Sequence, residues 1–446
     1  MVLDFKKLFN DNLEDIIKLL QIKSIYDEKT INEEMPYGLN VHNAFEYMKQ
    51  LAQEEGFIIK EYDGHALSFE FGQGEKRIDI AGHLDVVYAE DEEFNIQIKD
   101  NKIFGRGTSD MKVPLFLCFI VLKELKKEYK NINKRIRLVL GGDEERTMND
   151  LKYYVKKEGY PDFAFTPDGY FPLGIGEKGA IMWEIEDDYK GIIDYLDGGS
   201  QCNIVSPYAK AILNDASKLK DINDFISKNN IDGKAYIQNG KTTIETKGIP
   251  CHASIPFKGR NATIDLLNII MNSYDDEIVS SLYHTFNNYY GKGFNSFISD
   301  DQYKCLSVNL GILKIEDNKI FAQIDCRYPF GTTADDLTSR LKEALRLNVS
   351  LDYNDDPTLC DENDIYVKTM LNAYQKITND YSSPIISGGV SYSKVFKHCV
   401  SYGPNTIDEV SMAHQKGEYI ELNKCVKMLE IYYHTIEDLL LLDNHE

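Results

Sequence analysis

The chain opens with apolar residues at helical spacing. Phe5, Leu8, Leu13, Ile16, Ile17, Leu19 and Leu20 predict an amphipathic helix over 5–22, and Val41, Phe45, Met48 and Leu51 a second over 40–55. Asp63-Gly64 splits two short strands, 57–62 and 66–71, as a hairpin. The pattern then changes to apolar runs at 78–87, 135–140 and 162–166, separated by helical stretches at 114–129 and 148–158. Strands alternating with helices predict an α/β fold, a mainly parallel sheet with helices on both faces. After Gly179 strands are scattered (180–186, 235–239, 242–247, 307–314, 319–327) among helices at 263–273 and 334–345, an α+β texture. The α/β texture resumes with helices at 364–378 and 421–440 and a strand near 399–402. These shifts divide the chain into a first segment, 1–180, an inserted domain, 181–355, and a returning segment, 356–446.

Composition narrows the function. Of 446 residues, 72 are Asp or Glu against 50 Lys or Arg, a net charge of −22. Nucleic acid and anionic membranes would repel such a surface, so neither is an expected partner. The eight cysteines contain no CxxC pair and read as reduced thiols. No apolar run approaches the ~18 residues of a membrane span. The N-terminal residues lack a signal-peptide pattern. The expectation is a cytoplasmic protein.

Candidate chemistry gathers at strand ends. His83 and Asp85, two apart at the end of an apolar run, suit a metal ligand and its orienting carboxylate, or a core histidine beside a turn. Asp110 closes GRGTSD before a helix, where a cap is the ordinary role. GRGTSD has neither GxGxxG nor GxxxxGK[ST] spacing, which argues against nucleotide binding. Asp143, Glu144 and Glu145 end another strand in GGDEE; they form a solvated turn unless a cation compensates their repulsion. Asp168 follows a third strand in TPDG. In an open α/β sheet such strand ends converge on one edge, where ligands bind. With His414 the set offers only nitrogen and carboxylate oxygen, which suits Zn²⁺, Mn²⁺ or Co²⁺. Glu144, beside a ligand, is then a candidate general base.

The motifs GHLDVV, GRGTSD, GGDEE, TPDG, GIPCHASIP, DCRYP and MAHQKGEYI occur in one order along the chain. In that order the chain resembles the two-zinc metallopeptidase superfamily of aminoacylase, carboxypeptidase G and succinyl-diaminopimelate desuccinylase, and within it the PepV-like dipeptidase branch. The resemblance implies a zinc-exopeptidase-like fold with a lid, and two divalent metal ions, zinc first, with manganese or cobalt as alternatives. It implies that His83, Asp110 and Asp168 hold one ion and Asp110, Glu145 and His414 the other, with Asp110 bridging. Asp85 would hydrogen-bond His83, and Glu144 would take a proton from the bridging water, leaving a bridging hydroxide, and later deliver it to the leaving amine. A cis peptide after Asp110 is also implied. In the lid, His252 matches the histidine that stabilises the oxyanion, and Asn203 and Arg327 match substrate-binding positions. Gly388 and Gly389 match a glycine-rich segment lining the cleft. Arg327 reads alternatively as a structural salt bridge.

The implied activity is hydrolysis of dipeptides by a monomer, since so large an insert resembles an enlarged lid that supplies His252 within one chain. Met111, Lys394 and the segment 88–94 depart from the superfamily's pattern, which bears on substrate preference and leaves the ligands and base intact. An N-acyl-amino-acid deacylase is the nearest alternative. A catalytically silent binding protein on the same scaffold is the more distant one.

Overall fold

The computed structural model describes residues 3–299 and 304–442. The chain divides into two compact units, Met1–Gly176 with Leu359–Glu446, and Glu177–Thr358.

In the first unit the strand Arg77–His83 lies between Arg135–Gly141 and Phe163–Thr166, parallel to both. Cys399–Ser401 extends the parallel run beyond Phe163–Thr166. On the other side Ala66–Phe71 and then Ile58–Tyr62 add antiparallel strands. Beyond Cys399–Ser401 the strand Gly174–Glu177 also pairs antiparallel, so the sheet is parallel at its centre and antiparallel toward both flanks. Alternation along its strands serves two cores, as period-2 side-chain geometry dictates. Ile78, Ile80, Leu138, Leu140, Phe163 and Phe165 join the core built with the helices Phe5–Gln21, Leu39–Glu54, Lys112–Glu128 and Leu422–Leu441. Ala81, Val139 and Ala164 point the other way, onto Leu151, Tyr154 and Val155 of the helix Asn149–Glu158. Lys112–Glu128 is apolar nearly all round and buried from Lys112 through Leu122, as a central helix must be. Asp4 and Asp364 cap their helices by accepting from Lys7 N and Tyr366 N at 2.9 and 2.8 Å.

The second unit is an eight-stranded sheet, in the order Gly233–Gln238, Lys241–Lys247, Tyr208–Leu213, Ile193–Gly198, Ser307–Glu316, Lys319–Tyr328, Gly179–Asp188 and Val349–Asp355. Its pairings are antiparallel. The helices Leu219–Lys228, Ala262–Ser273, Glu277–Phe286 and Ala334–Leu345 contribute to its separate core. Trp183, the single tryptophan of the chain, is fully buried there and donates to Thr338 Oγ1 at 2.8 Å.

Two sequence expectations change. The apolar run 78–87 is a strand only to His83, so Asp85 lies in the loop beyond it and does not share a strand face with His83. The strands Ile193–Gly198, Tyr208–Leu213 and Val349–Asp355 and the helices Leu219–Lys228 and Glu277–Phe286 add to the elements expected in the insert. Among the described residues no helix is long and apolar enough to cross a membrane.

Candidate metal centre

The parallel register sets the site. His83 ends its strand opposite Gly141, so the Gly142–Glu145 turn leaves the sheet at the same level. Asp168 follows Phe163–Thr166 on the adjoining strand. Asp110 stands two residues before the buried helix Lys112–Glu128, whose N-cap is Met111, and the Asp110–Met111 peptide is cis, as the resemblance implies.

These residues converge. His83 Nε2 lies 3.1 Å from Asp110 Oδ1 and 3.6 Å from Asp168 Oδ2. His414 Nε2 lies 3.1 Å from Asp110 Oδ2 and 3.0 Å from Glu145 Oε2, so Asp110 has one oxygen toward each histidine. Ligand atoms of His83, Glu144 and Asp168 lie within 4.8 Å of one another, and so do those of His83, Asp110 and Glu145. The trios share His83, Asp110, Glu145 and Asp168 with the implied ligand sets, and bring Glu144 equally close.

Asp85 acts differently from expectation. The His83 ring meets the backbone carbonyl of Asp85 at 2.8 Å, closer than the 3.5 Å to its carboxylate. The carboxylate instead accepts from the backbone N–H groups of Glu144 at 3.3 Å and Glu145 at 3.1 Å. It thereby fixes both the acidic turn and, through its carbonyl, the imidazole.

Burial pushes the carboxyls of Glu144, Glu145 and Asp168 above the usual range, and neighbouring carboxylates reinforce the shift. Burial acts the same way on Asp110, but hydrogen bonds from His414 and His83 outweigh it and hold that group low. Burial opposes the charge of His83, yet bonds to Asp110, Asp168 and Asp85 raise its imidazole well above the ordinary value. Bonds to Asp110 and Glu145 raise His414 to about 10. So many acids at one poorly solvated edge need compensating positive charge, and the donors are nitrogen and oxygen alone. The residues present fit hard or borderline divalent cations.

Sequence reasoning passed over three buried groups here. Tyr392, beyond Gly388 and Gly389, packs its ring edge-on to His83 at 6.2 Å between centroids. Its hydroxyl donates to Asp150, which also accepts from Gly142 N at 2.6 Å and Asp143 N at 2.8 Å. Glu418 is the third. Only its place four residues after His414 in MAHQKGEYI could have drawn attention to it.

The lid candidates cluster within the second unit. Ala253 N donates to Asn203 O at 2.8 Å, and Ile204 and His252 form an antiparallel bridge, so exposed Asn203 and His252 are neighbours. Ser307, whose hydroxyl reaches Ala253 O at 3.4 Å, pairs with Arg327 across the sheet. Arg327 directs Nε and Nη2 onto Asp325 at 2.9 and 2.8 Å.

Against known proteins, the model described as Peptidase family M20/M25/M40 matches residues 80–438. A Staphylococcus epidermidis protein named "Putative dipeptidase" is 29% identical over 454 residues, 96% of each chain. "Putative dipeptidase YtjP" of Bacillus subtilis is 27% identical over 449 residues, 96% of this chain and 97% of that one. Human carnosine dipeptidase 1 superposes with a TM-score of 0.61 at 12% identity, covering 98% of this chain and 99% of the other. Aminoacylhistidine dipeptidase from Vibrio alginolyticus gives 0.59 at 14% identity, with 98% of each chain covered. These structures share the fold. The family match spans most of the chain and every metal-centre residue named above, and the chain belongs to peptidase family M20/M25/M40.

Proposed function

We propose that the chain is a metal-dependent dipeptidase with two metal sites. The observation that carries the reading is the convergence of His83, Asp110, Glu145, Asp168 and His414 around a shared carboxylate, with Glu144 beside them. In this reading Asp110 contributes one oxygen to each site, His83 and Asp168 complete the first, and Glu145 and His414 the second. Bound there, divalent cations supply Lewis-acid activation of water and of the scissile carbonyl. Glu144 takes the proton from the attacking water and returns it to the leaving amine. Burial, which raises its carboxyl, brings it nearer the working range of a general base. Asp85 holds the Glu144 and Glu145 amides, so base and ligand keep a fixed spacing.

In the lid, His252 serves as oxyanion donor and Asn203 as its neighbour in substrate binding. Arg327 meets the substrate carboxylate through Nη1, because Asp325 occupies Nε and one side of Nη2. Gly388 and Gly389 line the cleft. The dipeptidase names of relatives aligned over nearly their whole length support dipeptides as the substrate class. Zinc is the proposed ion. A cytoplasmic monomer is the proposed state.

The test is hydrolysis of a dipeptide panel beside N-acetyl and N-succinyl amino acids, with Zn²⁺ and Mn²⁺ compared. Cleavage of free-amine dipeptides is the expected result. Preferential cleavage of the acylated compounds would make the chain a deacylase instead.

A further inference from the structure

Glu418 is fully buried, and both of its oxygens are taken up by donors of the chain. Its Oε1 accepts from Ser109 N at 2.7 Å, Ser109 Oγ at 3.1 Å and Asp110 N at 3.1 Å. Its Oε2 accepts from Gly107 N at 3.0 Å and Arg106 Nη1 at 2.9 Å. The same segment also donates to backbone carbonyls around Glu418. Gly105 N donates to Glu418 O at 2.9 Å, and Arg106 Nη2 to Gln415 O at 3.2 Å. The 105–110 segment thus turns the N–H groups of Gly107, Ser109 and Asp110 toward one carboxylate, an anion-binding concavity filled by the chain's own side chain. The wrap requires Gly107 at φ +85°, where a Cβ would also lie 3.0 Å from Lys112 Cδ and 3.3 Å from Val86 Cγ1.

The two segments joined here are those that carry Asp110 and His414. One charged group therefore sets the backbone on both sides of the Asp110–His414 contact. Two loops could be joined by neutral contacts without desolvating a carboxylate, so a buried charge at this junction calls for a role beyond cohesion. We propose that Glu418 is a positioning residue for the metal centre, holding the Asp110 and His414 loops in register so that one cation can be shared between them. This inference rests on the metal-centre reading above, and acts through Asp110 and His414 without touching substrate.

The test is Glu418→Gln, whose amide N–H₂ would confront backbone N–H donors, with Glu418→Asp as the charge-preserving comparison. Zn²⁺ affinity is measured by competition with a chromophoric chelator, and the site's geometry by the visible spectrum of the Co²⁺-substituted protein. Loss of an outer partner of this kind typically weakens metal affinity about 10–100-fold. The expected result is such a loss in Glu418→Gln, an altered Co²⁺ spectrum, a fall in kcat with KM little changed, and partial recovery in Glu418→Asp. A folded Glu418→Gln with wild-type Zn²⁺ affinity and Co²⁺ spectrum overturns the proposal. If Glu418→Gln does not fold, Ser109→Ala and Arg106→Lys each remove part of the same network. A weakened Zn²⁺ affinity in either supports the role, and unchanged affinity in both overturns it. Wild-type protein that takes up no metal and cleaves no dipeptide would refute the underlying reading instead, whatever the variants do.

Discussion

Asp150 offers the sharpest test of how the acidic turn is held. Its Oδ2 accepts from Gly142 N at 2.6 Å, from Asp143 N at 2.8 Å and from the Tyr392 hydroxyl, and the residue is fully buried. Its Oδ1 also accepts from Leu151 N at 2.6 Å, so Asp150→Ala leaves four buried donors facing a cavity. Each unsatisfied donor costs about 1–3 kcal/mol, and because neighbours relax and water enters, the joint cost is about 3–5 kcal/mol. For a unit of this size about 2–4 °C of Tm is lost per kcal/mol, so the melting transition should fall by about 6–20 °C. Burial, with the nearby Asp85 charge, lifts the Asp150 carboxyl to about 7, so the scan belongs at pH 8, where it is ionised and purely an acceptor. Tyr392→Phe removes one donor and leaves the carboxylate its backbone partners, for a smaller loss of about 1 kcal/mol. The double variant should then be less damaged than the sum of the two. Turnover should fall in parallel, because Glu144 and Glu145 follow the turn. A drop below 2 °C in Asp150→Ala would refute this account of the turn.

Other outcomes follow from the same geometry. Glu144→Gln should retain metal while losing nearly all turnover; loss of metal would instead make Glu144 a ligand beside His83 and Asp168, with which it shares a 4.8 Å cluster. Lys112 is fully buried and donates to Leu19 O and Ile22 O at 3.4 and 2.7 Å, near the end of the first helix. Burial lowers its ammonium to about 7, partly opposed by the Glu418 and Asp85 charges. The unfolded chain therefore binds the extra proton between about pH 7 and the ordinary lysine range, and this group's contribution to stability rises with pH across that window. In Lys112→Met the difference in unfolding free energy from wild type should change over the same window. A pH-independent difference would count against a neutral folded Lys112.

The parts of the site that the sequence disclosed are those carried by strand polarity. His83, Glu145 and Asp168 stand just at or beyond the carboxyl ends of apolar parallel strands, and strand order alone brings such positions to one edge. Asp85 meets His83 as expected, but through its backbone carbonyl, because the strand stops at His83 and the carboxylate turns to two backbone amides. Asp150 and Glu418 went unseen for a related reason. They bind N–H groups, which every residue but proline possesses and no side-chain pattern marks. Lys112 lies ahead of the helical stretch expected from 114, and only the tertiary fold buries it. Arg327 kept both of its readings, since Asp325 grips one side of the fork and Nη1 remains for a ligand in the proposed function. In the insert, Val349, Leu351 and Tyr353 alternate with polar residues along Val349–Asp355, a period-2 strand signal that the sequence did carry, although all but the first and last of its positions are exposed. It is a strand because Gly179–Asp188 supplies a ladder partner.

The central claim is that this acid-rich sheet edge becomes a peptidase by binding divalent cations. The most direct measurement strips the protein with a chelator, adds Zn²⁺ or Mn²⁺ stepwise and follows hydrolysis of a free dipeptide. The account predicts no turnover in the stripped protein and activity that appears with added metal and saturates as the second site fills. Full dipeptide hydrolysis by metal-free protein, or metal uptake without hydrolysis of any dipeptide, would contradict it.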